Sequence, residues 1–421
     1  MGKYASLIKA YLAVLLVGLI PAWMILLPLD MTSEPEGWQV FVRANGFAVT
    51  IAQLLFVLIA MRSSYSPFRS ISQLPRLTVL ALLAWLAITC FVSFGGGKDH
   101  LMASIALIKL FIAVLFFLAL INLRTTSQSL FLTRIWVALG TGVVLYTILW
   151  AIHIFLVSPQ GEDWMERIPG VNNVRHTGHF AIACVIAGLA TVIAFWNSPN
   201  FWLRWALPLL FSSAGLGLAL WTGSRGPLLA SLVTMFLTFC IAGRQRKIVA
   251  RFCITSALAA TAIVATLPLP HESYGIAQAT GMADVAVGKQ DLSSGRLVLW
   301  TKTLHEISEK PILGWGLNQF VKFGPSVPVN FLHPHNMPLQ MLFSGGIVSV
   351  LLTFLIFVPT LWRLGWPYTK GIGAAGVGGI VGMLVYSLYD GALYFSYPTM
   401  ILFVAIVSSI APAPEQPVHD K

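Results

Sequence analysis

Long apolar stretches recur along the whole chain and are separated mostly by short polar turns. Many are close to 20 residues long, the length at which a helix crosses about 30 Å of hydrocarbon. A backbone in that environment must satisfy its own hydrogen bonds, which favours helices. The pattern therefore predicts an all-α bundle of about twelve membrane-spanning helices. The predicted spans are residues 7–29, 44–61, 77–95, 101–123, 135–157, 177–195, 204–222, 227–243, 252–268, 338–362, 371–389 and 397–413.

Composition supports the same class. The 421 residues are 57% hydrophobic and 10% charged, and the mean hydropathy is +0.81. A water-soluble domain of this length could not bury so much apolar surface. The 4 cysteines all fall inside apolar runs, so neither a disulfide framework nor a cysteine-based metal site is indicated. No cofactor is predicted.

The distribution of basic residues predicts the orientation. An even number of spans places both termini on one side, and the loops of that side carry most of the Lys and Arg. By the positive-inside rule that side is the cytoplasm. The net charge of +11 then reflects topology and attraction to anionic membrane lipids, and a nucleic-acid partner is not expected.

The stretch 269–337 breaks the pattern of tight connections. It divides the chain into residues 1–268 with nine spans, an outward-facing loop at 269–337, and residues 338–421 with three spans and a short tail. Loops of this length are usually functional. Ser293-Ser294-Gly295 followed by Arg296 predicts a capped amphipathic helix with apolar positions 297, 300, 304 and 307, ending before Pro311. Such a helix would lie along the membrane surface or cover a cavity.

Three outward-side elements carry candidate chemistry. They are Thr222-Gly-Ser224-Arg225-Gly, Ser294-Gly-Arg296 and His333-Pro-His335-Asn336. Arginine presents a planar fork of donors that matches phosphate oxygens, and histidine accepts a proton near neutral pH. Together these elements suit a pyrophosphate anion beside a general base.

Each of these residues also has a structural interpretation. His333 and Asn336 could build the turn that starts the next helix, and Arg225 could simply lie at the headgroup level. Arg296 could be an exposed first-turn residue, although a cation there opposes the helix dipole and would not add stability.

Other polar residues near the outer face are weaker candidates. Arg175, at the start of the sixth span, could be a further glycan or phosphate ligand. Lys109 lies inside the fourth span, where a charge is a functional candidate, although a structural hydrogen bond is an equal alternative. His176 and His179 are more consistent with an interface loop than with a metal pair. No D-x-D element indicates a metal site.

The motifs occur in a recognisable order. This order resembles the O-antigen ligase and O-antigen polymerase superfamily, in detail between Thr222 and Gly346. The motifs are T-x-S-R-G at 222–226, S-G-R-x-x-x-W at 294–300, P-I-L-G-W-G at 311–316, His335-Asn336-x-x-Leu339 and Gly345-Gly346.

The resemblance implies a metal-independent glycosyltransferase that acts outside the bacterial inner membrane. It implies His335 as the base, preferred over His333 because asparagine follows it, and Arg225 and Arg296 as the pyrophosphate clamp. Candidate substrate-binding residues are Arg175, Lys109, His333, Asn336 and Ser224. A single-step attack predicts inversion at the anomeric carbon.

The expected donor is an O-antigen linked to undecaprenyl pyrophosphate, and the expected acceptor is a hydroxyl of lipid A-core. The quoted motifs do not separate this ligase from a polymerase that uses a second lipid-linked glycan as acceptor. A protein O-oligosaccharyltransferase of the same superfamily is a further alternative. A flippase or transporter is less favoured, because the candidate residues gather at one surface instead of the midplane.

Overall fold

The structure is a computed structural model that describes Leu12 and residues 14–22, 46–62, 66–126, 130–152, 174–269, 274–282, 295–323 and 333–411. Within these residues the chain is all-α and contains no strand. The predicted first span is described only in part, where residues 14–18 and 20–22 are helical. The rest of that span, the end of the tail and much of the loop at 269–337 lie outside the described residues.

Helices occupy most of the described chain. In chain order they are α1 (Phe47–Met61), α2 (Pro67–Ile71), α3 (Arg76–Gly95), α4 (His100–Thr126), α5 (Leu130–Ile152), α6 (Gly178–Phe195), α7 (Leu207–Trp221, preceded by a π-helical turn at Trp202–Ala206), α8 (Arg225–Ile241), α9 (Arg246–Thr266), α10 (Gly275–Thr280), α11 (Arg296–Glu309), α12 (Phe320–Phe323), α13 (Met337–Arg363), α14 (Gly373–Asp390) and α15 (Ser396–Ser408).

The predicted all-α membrane fold is confirmed. Each predicted span from the second to the twelfth coincides with a helix in the described residues. Seven helices in this part of the chain are long and apolar enough to cross a membrane, and three shorter ones are also apolar. The total number of spans stays a prediction.

Helix α6 forms the centre of the bundle. It is buried along almost its whole length and packs against α5, α7 and α8. Close approach depends on small residues, because a Cβ on Gly188 would lie 2.8 Å from the Pro208 carbonyl oxygen and a Cβ on Gly215 would lie 2.5 Å from that of Ala181. In a bilayer such backbone contact replaces the hydrophobic effect as the source of packing energy.

A break at Gly346 divides α13 into two parts, and the backbone of residues 311–316 fills it. Gly346 has φ 60° and ψ −168°. The Trp315 amide donates to the Phe343 carbonyl at 2.8 Å, and the Ile347 amide donates to that of Pro311 at 2.9 Å. The glycine-rich P-I-L-G-W-G motif thus satisfies the backbone groups that the break exposes.

Helix α11 forms where the sequence predicts it, but the described residues show no side-chain cap. It starts at Arg296 with Gly295 as its N-cap and no side-chain cap, while Ser293 and Ser294 lie outside the described residues. Its buried positions are Leu299, Thr303 and Ile307, and the two apolar ones share a cluster with Phe343 of α13. Of the predicted apolar positions, residue 307 is buried and residues 297 and 304 are exposed, and the prediction that the helix lies along the membrane surface or covers a cavity stays a prediction. The helix is apolar on two sides, and hydropathy alone does not distinguish protein contact from exposure.

Candidate active site

His335 occupies an unusual backbone conformation immediately before α13. Its φ is 51°, in the left-handed region that non-glycine residues rarely adopt. Asn336 follows as the N-cap of α13, where its Oδ1 accepts from the Leu339 amide at 3.1 Å. The Asn336 Nδ2 donates to the Leu388 carbonyl at 3.0 Å. The histidine is thereby held between the start of α13 and the end of α14.

His333 is buried behind His335 and supports its backbone. The His335 amide donates to His333 Nδ1 at 3.2 Å, so this nitrogen carries no proton. Burial lowers the pKa of the His333 imidazole well below 6.5, and His335 lowers it further, although Asp390 acts in the opposite direction. His333 is 2% exposed. A neutral imidazole in this position is suited to support and poorly placed to reach a substrate.

Asp390 is the acidic partner in this cluster. Its Oδ1 lies 3.5 Å from His335 Nδ1 and 3.5 Å from Arg296 Nη2. Both separations are at the outer limit of a hydrogen bond. The carboxylate thus connects the two residues that the sequence motifs place in different parts of the long loop.

Gly391 allows the end of α14 to approach the histidine loop this closely. Its φ is 59°, and a Cβ there would lie 2.8 Å from His333 Nδ1. Any side chain would push the loop away from Asp390. The helix end and the loop therefore meet because the residue after Asp390 is glycine.

Trp300 explains the spacing of the S-G-R-x-x-x-W motif. It lies one helical turn after Arg296, so both side chains project from the same face of α11. Its Nε1 donates to the Pro334 carbonyl at 2.8 Å. The tryptophan thus fixes α11 against the histidine loop, and the arginine one turn away reaches Asp390.

Two further histidines lie behind the cluster. The rings of His176 and His179 are stacked at 5.5 Å, and both contact Phe395, which also contacts His333. Burial lowers the pKa of His176, while Asp390 raises it and His335 lowers it. Their stacked arrangement is that of packed side chains. Within the described residues, no group of three or more His, Cys, Asp or Glu is arranged to hold a metal ion; metal independence stays a prediction.

Arg225 is the first residue of α8. Its Nε donates to the Gln278 carbonyl of α10 at 3.0 Å. The next residue, Gly226, packs against the ring of Tyr386, which precedes Asp390 by one turn. Ser224 is buried and accepts from the Thr222 hydroxyl at 2.9 Å, so its described contacts stabilise the turn. The substrate-binding role of Ser224 stays a prediction.

The remaining candidates are less well placed by the structure. Lys109 is partly buried in α4. Arg175 lies in the short helical turn Val174–Thr177, but its side chain is outside the described residues. Their predicted roles in substrate binding are untested. For Asn336 the structural alternative is observed, because it caps α13, and a role toward substrate also stays a prediction.

Sequence reasoning missed Asp390. It ends an apolar run and has no motif around it, so the only available signal was an acid at the boundary of a predicted span. Its importance depends on contacts with His335 and Arg296, which lie 55 and 94 positions earlier in the chain. Charged residues at such boundaries are common, which makes the signal weak.

Comparisons with known proteins agree with the motif order. Residues 209–354 match the sequence model of a family described as O-antigen ligase. An O-antigen ligase of Pseudomonas aeruginosa is 27% identical over 286 residues, which cover 63% of each chain. A Rickettsia conorii protein named as a provisional polysaccharide ligase is 26% identical over 125 residues, 26% of this chain and 30% of that protein.

These matches support the resemblance to the O-antigen ligase superfamily that the motifs indicated. The chain aligns with less than two thirds of the length of either relative. The matched family region contains Arg225, Arg296 and His335, whereas Asp390 lies beyond it. The relatives and the apolar helices together support a multi-pass bacterial membrane protein.

Proposed function

We propose that this chain is an inner-membrane glycosyltransferase of the O-antigen ligase type. It transfers O-antigen polysaccharide from undecaprenyl pyrophosphate to a hydroxyl of lipid A-core on the periplasmic face, with both termini in the cytoplasm. The proposal rests on the superfamily resemblance together with the contact between His335, Asp390 and Arg296.

In this proposal His335 is the general base. Asp390 accepts a hydrogen bond from Nδ1–H of His335 and so favours the tautomer whose Nε2 has a lone pair for the acceptor hydroxyl. The hydroxyl oxygen attacks the anomeric carbon as its proton passes to Nε2. The bond from that carbon to the pyrophosphate oxygen breaks, the electron pair leaves with the pyrophosphate, and the anomeric configuration is inverted.

The arginines stabilise the leaving group. Arg296 is the first residue of α11, and Arg225 is the first residue of α8. Fixed cations at the place where negative charge develops lower the barrier without reorganisation during the reaction. Asp390 holds Arg296 on the same side as the base, so that base and clamp act on one sugar phosphate.

The contact between His335 and Asp390 is the observation that carries this proposal. A histidine whose only role was to start a helix would not need a carboxylate beside Nδ1. Its left-handed backbone would cost free energy with no functional reason. The second candidate is the polymerase, which would use the same donor and the same residues but a lipid-linked glycan as acceptor.

The test uses purified full-length protein with undecaprenyl-pyrophosphate-linked glycan and either lipid A-core or a second donor molecule as acceptor. The expected product is glycosylated lipid A-core. Chain lengthening from donor alone would establish the polymerase instead. The His335→Ala variant should lose about 10²- to 10⁴-fold in kcat, the usual contribution of a general base, while donor binding persists.

His305→Ala is the matched control. His305 lies on α11 and is exposed on the same loop. Its removal should leave the rate unchanged. If His335→Ala transferred glycan as fast as His305→Ala, His335 would not be the base.

A further inference from the structure

Two residues other than glycine have a positive φ in the described part of the chain, namely Asn318 at 54° and His335 at 51°. Both conformations cost free energy and persist only where neighbouring groups hold them. The two residues are far from helix centres and lie in different segments of the long loop. Their side chains and backbones nevertheless belong to one continuous set of contacts.

Tyr394 lies between them. Its hydroxyl donates to Asn318 Oδ1 at 3.1 Å, and burial raises the pKa of Tyr394 to about 12, so the hydroxyl stays protonated. On its other side the tyrosine ring stacks on His333, with ring centroids 4.5 Å apart and an interplanar angle of 16°. His333 in turn accepts from the His335 amide.

Asn318 is itself anchored to the membrane bundle. Its Nδ2 donates to the Met102 carbonyl of α4 at 3.3 Å. The neighbouring Gln319 is buried and accepts from the backbone amides of Lys98 and Asp99 at 2.9 and 3.1 Å. The segment carrying Asn318 is therefore fixed to the α3–α4 connection at several points.

We propose that Tyr394, oriented by Asn318, is a positioning residue that holds His335 in its left-handed conformation through the stacked ring of His333. The proposal rests on the function proposed above. Asp390 fixes the Nδ1 side of the imidazole, and the column of Asn318, Tyr394 and His333 fixes the backbone from which the imidazole projects. Together they restrict the direction in which Nε2 faces an acceptor.

The Tyr394→Phe variant tests this role, because it keeps the ring that stacks on His333 and removes only the hydroxyl. A small displacement of a base lowers the turnover rate without weakening binding of the donor. We expect kcat to fall about tenfold with the KM for donor unchanged. Asn318→Gly, which keeps the left-handed backbone and removes the acceptor oxygen, should give the same loss.

Combination variants separate positioning from general stability. If Tyr394 and Asn318 act as one unit, the double variant should lose no more activity than either single variant. In a His335→Ala background, Tyr394→Phe should cause no further loss, because the residue it positions is absent.

Tyr397→Phe is the control. Tyr397 is buried on α15, and its hydroxyl has no hydrogen-bond partner among the described residues, so the variant should keep the wild-type rate. If His335→Ala lost activity while Tyr394→Phe kept it, the positioning role would be refuted and the proposed function would stand. A full additional loss from Tyr394→Phe in the His335→Ala background would also overturn positioning. Unchanged activity in His335→Ala alone would overturn the proposed function.

Discussion

Replacing Asp390 by asparagine changes the group that contacts both His335 and Arg296, with almost no change in shape. The amide can turn its Nδ2 toward His335 and donate where the carboxylate accepted. That contact favours the tautomer with Nδ1 unprotonated and Nε2 protonated, which cannot act as a base. The variant therefore tests the orientation of the imidazole more directly than removal of the side chain.

The separation between Asp390 and His335 sets the expected size of the effect. In serine-protease triads the equivalent change lowers kcat by about 10⁴-fold. The contact here is 3.5 Å, at the limit of a hydrogen bond, so the tautomer should be less tightly controlled. We expect a loss of about 10²- to 10³-fold in kcat, which corresponds to roughly 2.7 to 4 kcal/mol in the activation barrier.

The assay measures transfer from lipid-linked glycan to lipid A-core at saturating donor, with the thermal unfolding midpoint of each variant as a check on folding. Asp99→Asn is the matched control. The Asp99 side chain accepts a hydrogen bond from the Met102 amide at the start of α4, and an asparagine oxygen can accept the same bond. A folded Asp390→Asn protein with the kcat of the control would refute the orienting role of Asp390.

Two further predictions concern stability. Gly346→Ala combines a left-handed φ of +60° with a steric collision against residues 312 and 313, whereas Gly371→Ala has φ +57° and nothing within 4 Å. Measured in detergent, the first variant should lower the free energy of unfolding by about 2 to 6 kcal/mol and the second by about 1 to 3 kcal/mol. Equal losses in the two variants would contradict the packed helix break. Because burial lowers the pKa of His333 below 6.5, the unfolded chain binds more protons below that pH. The contribution of His333 to the free energy of unfolding should therefore be complete above pH 6.5 and should fall by about 1.4 kcal/mol per pH unit below it. His333→Asn should make the free energy of unfolding depend less steeply on pH in this acid range. An unchanged slope would show that His333 is not held neutral.

The helices were predictable because the property that forms them is local. A backbone in a bilayer must be helical wherever an apolar run is long enough, so the ends of α4, α6 and α14 fall within a few residues of their predicted positions. Helix α11 shows the limit of the same signal. Its apolar residues predict that it packs, but the choice of Leu299 over Leu297 as a buried position depends on where α13 lies.

Composition and short motifs were enough to predict the fold class, the candidate base and arginines, and the resemblance to the O-antigen ligase superfamily. Which of these groups share one site depends on the tertiary structure. Asp390 has no motif, and Tyr394 is one of many aromatic residues near an interface, yet both contact the histidine loop because Gly391 lets α14 end against it. The left-handed His335 likewise depends on distant contacts, because its local hydrogen bond to His333 is supported by the stacked ring of Tyr394.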